Sequence, residues 1–288
     1  MKLLEVKNVS KRYDDFCLED ISFSLPSGYI MGYVGQNGAG KTTTINLITQ
    51  ICKQQAGEIW VDGLRYQDDP VRYKESIGYI SEEIGFSQTF TLRDIRTVLK
   101  DFYPSFRQDT FEELVRKWNL PEKKKIEEFS KGMKIKLMFA TVFARETKLL
   151  ILDEATNGLD PVARQEVLSL LQEYIADGDH SVLFSTHILS DLEQIADFIF
   201  FIHAGRMLLY DAKDELMENY LLVKGSKDAV SGELGRELIG FSGNAYGFEA
   251  ILPSDKAGLL PEGLIYEKPV IDQIIIHFIK EREEKALF

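Results

Sequence analysis

The sequence predicts an α/β fold with a mostly parallel sheet, and three observations carry that prediction. Short apolar strands alternate with helical stretches through much of the chain, the pattern of strands joined by helical crossovers. A glycine-rich segment, Gly35-Gln36-Asn37-Gly38-Ala39-Gly40-Lys41-Thr42, lies between a predicted strand and a predicted helix. A second apolar strand, Leu149-Leu150-Ile151-Leu152, ends in the acidic pair Asp153-Glu154.

Taken in order, Leu3 to Val9 alternates apolar and polar residues and reads as a half-buried strand. Ile21 to Leu25 alternates again and stops at the turn Pro26-Ser27-Gly28. Tyr29 to Val34 is a short apolar strand entering the glycine-rich segment, and Thr42 to Gln50 follows as a helix. Glu58 to Val61 is a strand closed by Asp62-Gly63. Residues 92–120 are largely helical, punctuated by Pro104 and Pro121, and Ser130 caps a helix running to about Arg145. Lys148 to Leu152 is a strand, Pro161 to Ala176 an amphipathic helix, Ser181 to Ser185 a strand and Ile188 to Ala196 a helix. Phe198 to Ile202 and Arg206 to Tyr210 are strands around the turn His203-Ala204-Gly205. A boundary falls near Tyr220. Beyond it, residues 222–268 read as short strands with Gly and Ser loops, and Pro269 opens a helix whose Ile271, Ile274, Ile275 and Phe278 share one face.

The 288 residues suit one large domain with a small one, or two modest ones, and 44% hydrophobic against 28% charged residues is the ordinary composition of a globular chain, so disorder is not the default. A formal net charge of -12 argues against broad nucleic-acid binding and against lying flat on an anionic membrane. The two cysteines, Cys17 and Cys52, form no metal-ligand spacing and no disulfide framework, which fits a reducing cytosol. The N-terminus lacks the apolar core of a signal peptide, and no stretch has the ~18 apolar residues that span a bilayer. Work at a membrane would need another chain to do the spanning. Lys123-Lys124-Lys125 lies among Glu122, Glu127 and Glu128 with no interleaved aromatics and reads as a solvated loop.

Residues 35–42 match GxxxxGK[ST] in the strand-to-helix context that the motif requires. Glycines let backbone N–H groups curl around an anion, and the helix start at Lys41 adds partial positive charge. In this pattern the Lys41 ammonium reaches the β- and γ-phosphates of ATP, Thr42 ligates Mg²⁺, and Thr43 rather than Thr44 reaches the α-phosphate. A buried strand would hold Asp153 where it orients the Mg²⁺ shell. Glu154, one residue on, is placed to polarise a water for attack on the γ-phosphate.

The order of motifs over residues 1 to about 220 resembles the nucleotide-binding subunits of ABC transporters. Phe129-Ser130-Lys131-Gly132-Met133 is similar to that family's signature, usually Leu-Ser-Gly-Gly-Gln, and departs from it at Phe129, Lys131 and Met133. The resemblance implies that Ser130, Lys131 and Gly132 contact a nucleotide held by the facing subunit. Ala155-Thr156-Asn157-Gly158-Leu159-Asp160-Pro161 resembles the D-loop, so Asp160 would help connect two facing sites. Ser185-Thr186-His187 resembles the switch histidine, which would make His187 a γ-phosphate contact, and Lys11-Arg12-Tyr13 resembles the aromatic loop that stacks on adenine. Gly78 to Glu83 occupies the Q-loop position, with Glu82 in place of glutamine and able to offer oxygen to Mg²⁺; a slip of one residue makes Glu83 the candidate. His180, His203 and His277 have no such context.

The resemblance implies an ABC cassette at 1–220, with N-terminal antiparallel strands and a helical subdomain at about 85–145, followed by a small α+β accessory domain at 221–288. It further implies an ATPase that needs ATP and Mg²⁺, pairs with a second cassette, and drives a separately encoded transmembrane permease from the cytoplasmic side of the membrane. The variant signature looks most like bacterial multidrug, antimicrobial-peptide or bacitracin-type exporter ATPases. Two alternatives stand beside it. A soluble ABC ATPase acting on ribosomes would resemble two cassettes in one chain, and a DNA-repair type would carry long coiled coils; this chain shows one cassette and no sustained heptads. A purely regulatory ATP-binding cassette fits less well, because Glu154 and His187 are both present.

Overall fold

A computed structural model of the chain describes residues 1–230, 232–243 and 247–286. The chain begins with β1 (Lys2–Arg12), β2 (Cys17–Pro26) and β3 (Ile30–Val34), then α1 (Lys41–Ile48), β4 (Ala56–Val61), α2 (Pro70–Glu75) and β5 (Ile77–Ser81). A helical stretch follows: α3 (Leu92–Phe102), α4 (Gln108–Lys117) and α5 (Lys131–Phe143). Alternation resumes with β6 (Leu149–Asp153), α6 (Pro161–Ile175), β7 (Ser181–Ser185), α7 (Leu189–Ile195), β8 (Phe198–His203), β9 (Arg206–Ala212) and α8 (Lys213–Asn219). The last elements are β10 (Tyr220–Gly225), α9 (Gly232–Glu237), β11 (Ile239–Gly243), β12 (Phe248–Pro253), β13 (Ile265–Glu267) and α10 (Ile271–Ala286).

These strands form three sheets. The central one has six strands in the order β5-β6-β7-β3-β8-β9, parallel except for the antiparallel edge strand β9. Strands β3, β6 and β7 are buried at every position, which is why their sequences are apolar runs and do not alternate. The β8–β9 hairpin turns through Ala204 at φ 46° and Gly205 at φ 76°, the paired left-handed geometry of a tight hairpin turn. An N-terminal antiparallel sheet, β2-β1-β4, lies on one side. A four-stranded sheet, β11-β12-β10-β13, is made wholly by residues after Asn219.

One apolar layer joins the N-terminal sheet to one face of the central sheet through Leu4, Val6, Phe23, Tyr33, Ile45 and Phe200. The opposite face buries Ile80, Phe139, Leu152, Leu171 and Phe184 under α5, α6 and α7. A separate cluster around Ile95, Leu99, Phe111, Ile126 and Leu137 holds the helical stretch together.

Several elements differ from the sequence reading. Strands β1 and β2 extend well beyond the alternating segments, because pairing between them continues through Arg12 and Cys17. The stretch before residue 82 contains α2, started by Pro70 and capped by the Asp69 side chain accepting from the Arg72 N–H, and then β5; neither shows a clear period in so short a run. The region 222–268 holds α9 as well as strands. The last helix begins at Ile271, two residues after Pro269. Its Ile271, Ile274 and Ile275 are buried against the core layer that also contains Leu192 and Ile195 of α7, and the Ile271 N–H donates to Glu193 Oε1 at 3.2 Å. Among the described residues, no helix is long and apolar enough to cross a membrane.

Candidate functional site

Parallel strands place their C-terminal ends along one edge of a sheet, and the register aligns them closely here. Ser81 pairs with Asp153, Asp153 with Ser185, and Ser185 with Tyr33. The residues just past these ends are Glu82, Glu154, Thr186-His187 and the glycine-rich loop after Val34. Segments that are far apart in sequence therefore meet at one edge, the usual place for a site in an open α/β sheet. A cleft of about 790 Å³ opens there and is lined by Tyr13, Lys41, Thr42, Glu82, Glu154 and His187, among others.

The loop has the backbone that its glycines permit. A Cβ on Gly35 would lie 2.5 Å from the Ile202 carbonyl oxygen, and Gly40, the N-cap of α1, has φ 115°. No side chain caps α1, so its first N–H groups are free to meet an anion. Lys41 is buried; its Nζ donates to the Gly35 carbonyl at 2.6 Å and lies 3.3 Å from Glu154 Oε1. Thr42 and Thr43 line the cleft, whereas Thr44 is buried, accepting from the Tyr33 hydroxyl at 2.9 Å and donating to the Gly40 carbonyl at 3.0 Å.

The two acids at the end of β6 do different things. Asp153 is buried and accepts from Ser185 Oγ at 3.0 Å, with the Thr42 side chain near enough to favour its charged form. Burial raises its pKa, and Ser185 and Thr42 only partly offset that. Glu154 has a left-handed backbone at φ 54°, uncommon for a side chain with a Cβ and a frequent mark of a working site. Its Oε2 lies 2.7 Å from His187 Nδ1 and accepts from Asn157 Nδ2 at 3.0 Å. Burial pushes the Glu154 pKa up, but the bonds from His187 and Asn157 and the charge of Lys41 outweigh it, so the carboxyl sits below its ordinary value. Glu154 is therefore an ionised, oriented carboxylate held between a cation and an imidazole.

The sequence-predicted residues fall into three groups. Tyr13, Gln36, Asn37, Gly38, Gly40, Lys41, Thr42, Thr43, Glu82, Glu154 and His187 line the cleft together. Gly35, Ala39 and Asp153 support it from behind: the Gly35 carbonyl receives Lys41, Ala39 is buried with its N–H on the Gln36 carbonyl, and Asp153 lies close to Thr42. Ser130, Lys131, Gly132 and Asp160 are not in the lining of this chain's own cleft. Ser130 is the exposed N-cap of α5, accepting from the Met133 N–H at 3.2 Å, and Asp160 caps α6 by accepting from the Val162 and Ala163 N–H groups at 3.0 Å each. Lys131 reaches the cleft only through Glu82, with Nζ donating to Oε1 at 3.0 Å. The Glu82 carboxylate, expected on a metal, is thus engaged by an ammonium; Glu83, the one-residue alternative, is not in the lining.

Four contributors were not singled out from sequence. Asn157 orients Glu154, Ser185 holds Asp153, and Asp15 and Phe16 line the cleft beside Tyr13. Asn157 and Ser185 sit inside motifs already read, and their short polar side chains beside an acid were the available signal. Asp15 and Phe16 carry no pattern, because a loop packed against another loop leaves no period. The remaining histidines are elsewhere: His277 is buried with Nδ1 2.6 Å from the Gly240 carbonyl, and the Nδ1 of His180 pairs with Asp177.

A glycine-rich loop closing on a buried lysine, with an acidic strand end and a histidine beside it, defines a phosphate-loop ATPase of the α/β class. Comparison with known proteins places it more narrowly. The family model described as ABC transporter matches residues 18–157. The chain is 34% identical over 227 residues to the ABC transporter ATP-binding protein YtrB of Bacillus subtilis, covering 78% of this chain and 77% of that protein. It is 32% identical over 222 residues to the lantibiotic transport ATP-binding protein SrtF of Streptococcus pyogenes, covering 75% and 95%. It is 31% identical over 209 residues to the bacitracin transport ATP-binding protein BcrA of Bacillus licheniformis, covering 72% and 68%. A solved structure of an ATP-binding subunit of an ABC transporter superposes with a TM-score of 0.68 at 33% identity, over 75% of this chain and 92% of that one. The chain belongs to the ABC transporter family and is an ATP-binding subunit, a member of a class of ATPases coupled to transport by permease partners.

Proposed function

We propose that residues 1–220 are the cassette that binds and hydrolyses ATP, that about 85–145 form its helical part, and that 221–288 are an accessory unit. The observation that carries the reading is the line Lys41–Glu154–His187 at the mouth of the glycine-rich loop, with contacts of 3.3 Å and 2.7 Å. Without nucleotide, Lys41 and Glu154 satisfy each other. An incoming γ-phosphate takes over the ammonium and leaves Glu154 facing the water side of the cleft. Glu154 then accepts a proton from the attacking water, and His187 fixes the carboxylate and contacts the phosphate. Tyr13 supplies a flat surface for the adenine.

Mg²⁺ fits the donor set, because Thr42 and Asp153 offer hard oxygen atoms close to one another. These two residues would hold it, and when bound it would neutralise charge on the phosphates. Asp153, buried with a raised pKa, is a carboxylate whose charge is not fully compensated by the protein alone.

Ser130, Gly132 and Asp160 support a head-to-tail pair, since none of them lines this chain's own cleft. In that pair each ATP bridges Lys41 of one cassette and Ser130 of the other, and hydrolysis reopens the interface. The working location is the cytoplasmic side of the membrane, held there by a separate permease that docks on the segment from Phe86 to Asp101. The lantibiotic and bacitracin relatives favour an exporter of drugs, peptides or lipids. They do not favour a ribosomal or DNA role.

The test is phosphate release by the purified chain with MgATP, beside Lys41→Ala. Hydrolysis that depends on Lys41, with nucleotide binding weakened about 10-fold or more, supports the reading. Equal nucleotide binding by the two proteins rejects it.

A further inference from the structure

Two departures from the usual family pattern, a glutamate in the Q-loop position and a lysine in the signature segment, meet each other in the fold. Glu82 follows β5 directly, and its N–H donates to the Asp153 carbonyl at 3.2 Å, so its backbone is fixed beside the acidic strand end. Its side chain lines the cleft with Lys41, Glu154 and His187. Lys131 is the first residue of α5, and its Nζ donates to Glu82 Oε1 at 3.0 Å. The same ammonium lies over the loop after Glu154, where a Cβ on Gly158 would be 3.1 Å from it.

Each residue alone is electrostatically misplaced. A carboxylate in a triphosphate cleft repels the ligand. A lysine at the first position of a helix opposes the helix dipole. Together they cancel both conflicts. The two side chains remain 52% and 41% exposed, so the ion pair adds little to folding, and its consequence belongs to the ligand.

We infer that Glu82 and Lys131 form one charge-balanced unit: Lys131 is a positioning residue that neutralises and orients the Glu82 carboxylate, so that a triphosphate can enter the cleft of the same chain. The inference rests on the ATP-site reading above. It also ties the start of α5 to the nucleotide cleft within one subunit, independently of any contact across a dimer.

Equilibrium binding of a non-hydrolysable ATP analogue and of ADP to the purified full chain tests the pairing. In Lys131→Met the Glu82 charge is uncovered. The analogue should bind about fivefold or more weakly, and ADP, lacking the γ-phosphate, should change less than about twofold. Adding Glu82→Gln to Lys131→Met removes the repulsion and should return analogue affinity to within about threefold of the unaltered chain. The exchanged pair, Glu82→Lys with Lys131→Glu, should bind the analogue better than Lys131→Glu alone. Independent effects that multiply in the double variants overturn the inference, as does equal weakening of ADP and analogue by Lys131→Met. Lys41→Ala is the reference: unchanged analogue affinity there overturns the ATP-site reading itself, whereas a loss there with independent effects at 82 and 131 removes the pairing alone.

Discussion

The six-stranded central sheet and the four-stranded C-terminal sheet are built from similar apolar residues, yet among the described residues the charged side chains that converge into the cleft do so at the first. In the central sheet, β3, β5, β6 and β7 run in parallel, so their C-terminal ends share one edge, and Glu82, Glu154, His187 and the glycine-rich loop all emerge there. In the C-terminal sheet the pairings are antiparallel, so strand ends alternate between edges, and among the described residues no comparable set gathers. Its ionised groups pair across the strands instead, as where Lys224 donates to Glu267 at 2.8 Å. Strand direction, rather than composition, separates a sheet that can host catalysis from one that packs.

The comparison can be broken most directly at Glu154. Glu154→Gln should lower ATP hydrolysis by about 100-fold or more while leaving nucleotide binding, and should accumulate an ATP-bound dimer visible by size exclusion. Normal phosphate release would move the base elsewhere. The matching change in the other sheet's packing is Ile274→Ala, which empties a fully buried position in the layer shared with α7. It should destabilise the chain by about 2–4 kcal/mol in thermal or denaturant unfolding. ATP turnover per folded molecule should stay within about twofold if the sheets are energetically separate; a larger loss would mean that α10 and α7 transmit to the cleft.

Smaller effects sharpen the contrast. Asp153 has a raised folded pKa, so its charge costs stability above that pKa and the cost disappears as pH falls through it. Asp153→Asn should therefore stabilise the nucleotide-free chain near pH 7, lose that gain in acid, and abolish turnover. Glu154 has the opposite sign: its lowered pKa contributes stability above the ordinary carboxylate range, lost as pH falls through the folded value. A melting-temperature series against pH separates the two. The smallest change expected is at Tyr13, whose hydroxyl lies 3.7 Å from Cys52 Sγ. Tyr13→Phe should keep ATP affinity within about twofold, whereas Tyr13→Ala should lose about 1 kcal/mol of stacking. Equal losses would assign the binding to the hydroxyl.

Much of this was legible in the chain itself. Apolar runs that stop at glycine or acid marked β3 and β6, and helix starts such as Ser130 and Pro161 were visible because caps are local chemistry. Short α2 and the outer halves of β1 and β2 were not, since their stability comes from pairing and packing with distant segments. Within the site, residue types were readable, but the hydrogen bonds from Asn157 and Ser185 were not.

The amino-acid order by itself determined the glycine-rich loop, the acidic strand end and their connection to phosphate chemistry, because each depends on neighbours a few residues away. Only the tertiary structure decided that Lys41, Glu154 and His187 stand in contact, that Glu154 takes a left-handed backbone, and that Glu82 meets Lys131 across 49 positions of sequence. Those outcomes depend on strand register and on which helix lies over which sheet edge, and sheet pairing sets both over distances that no local pattern encodes.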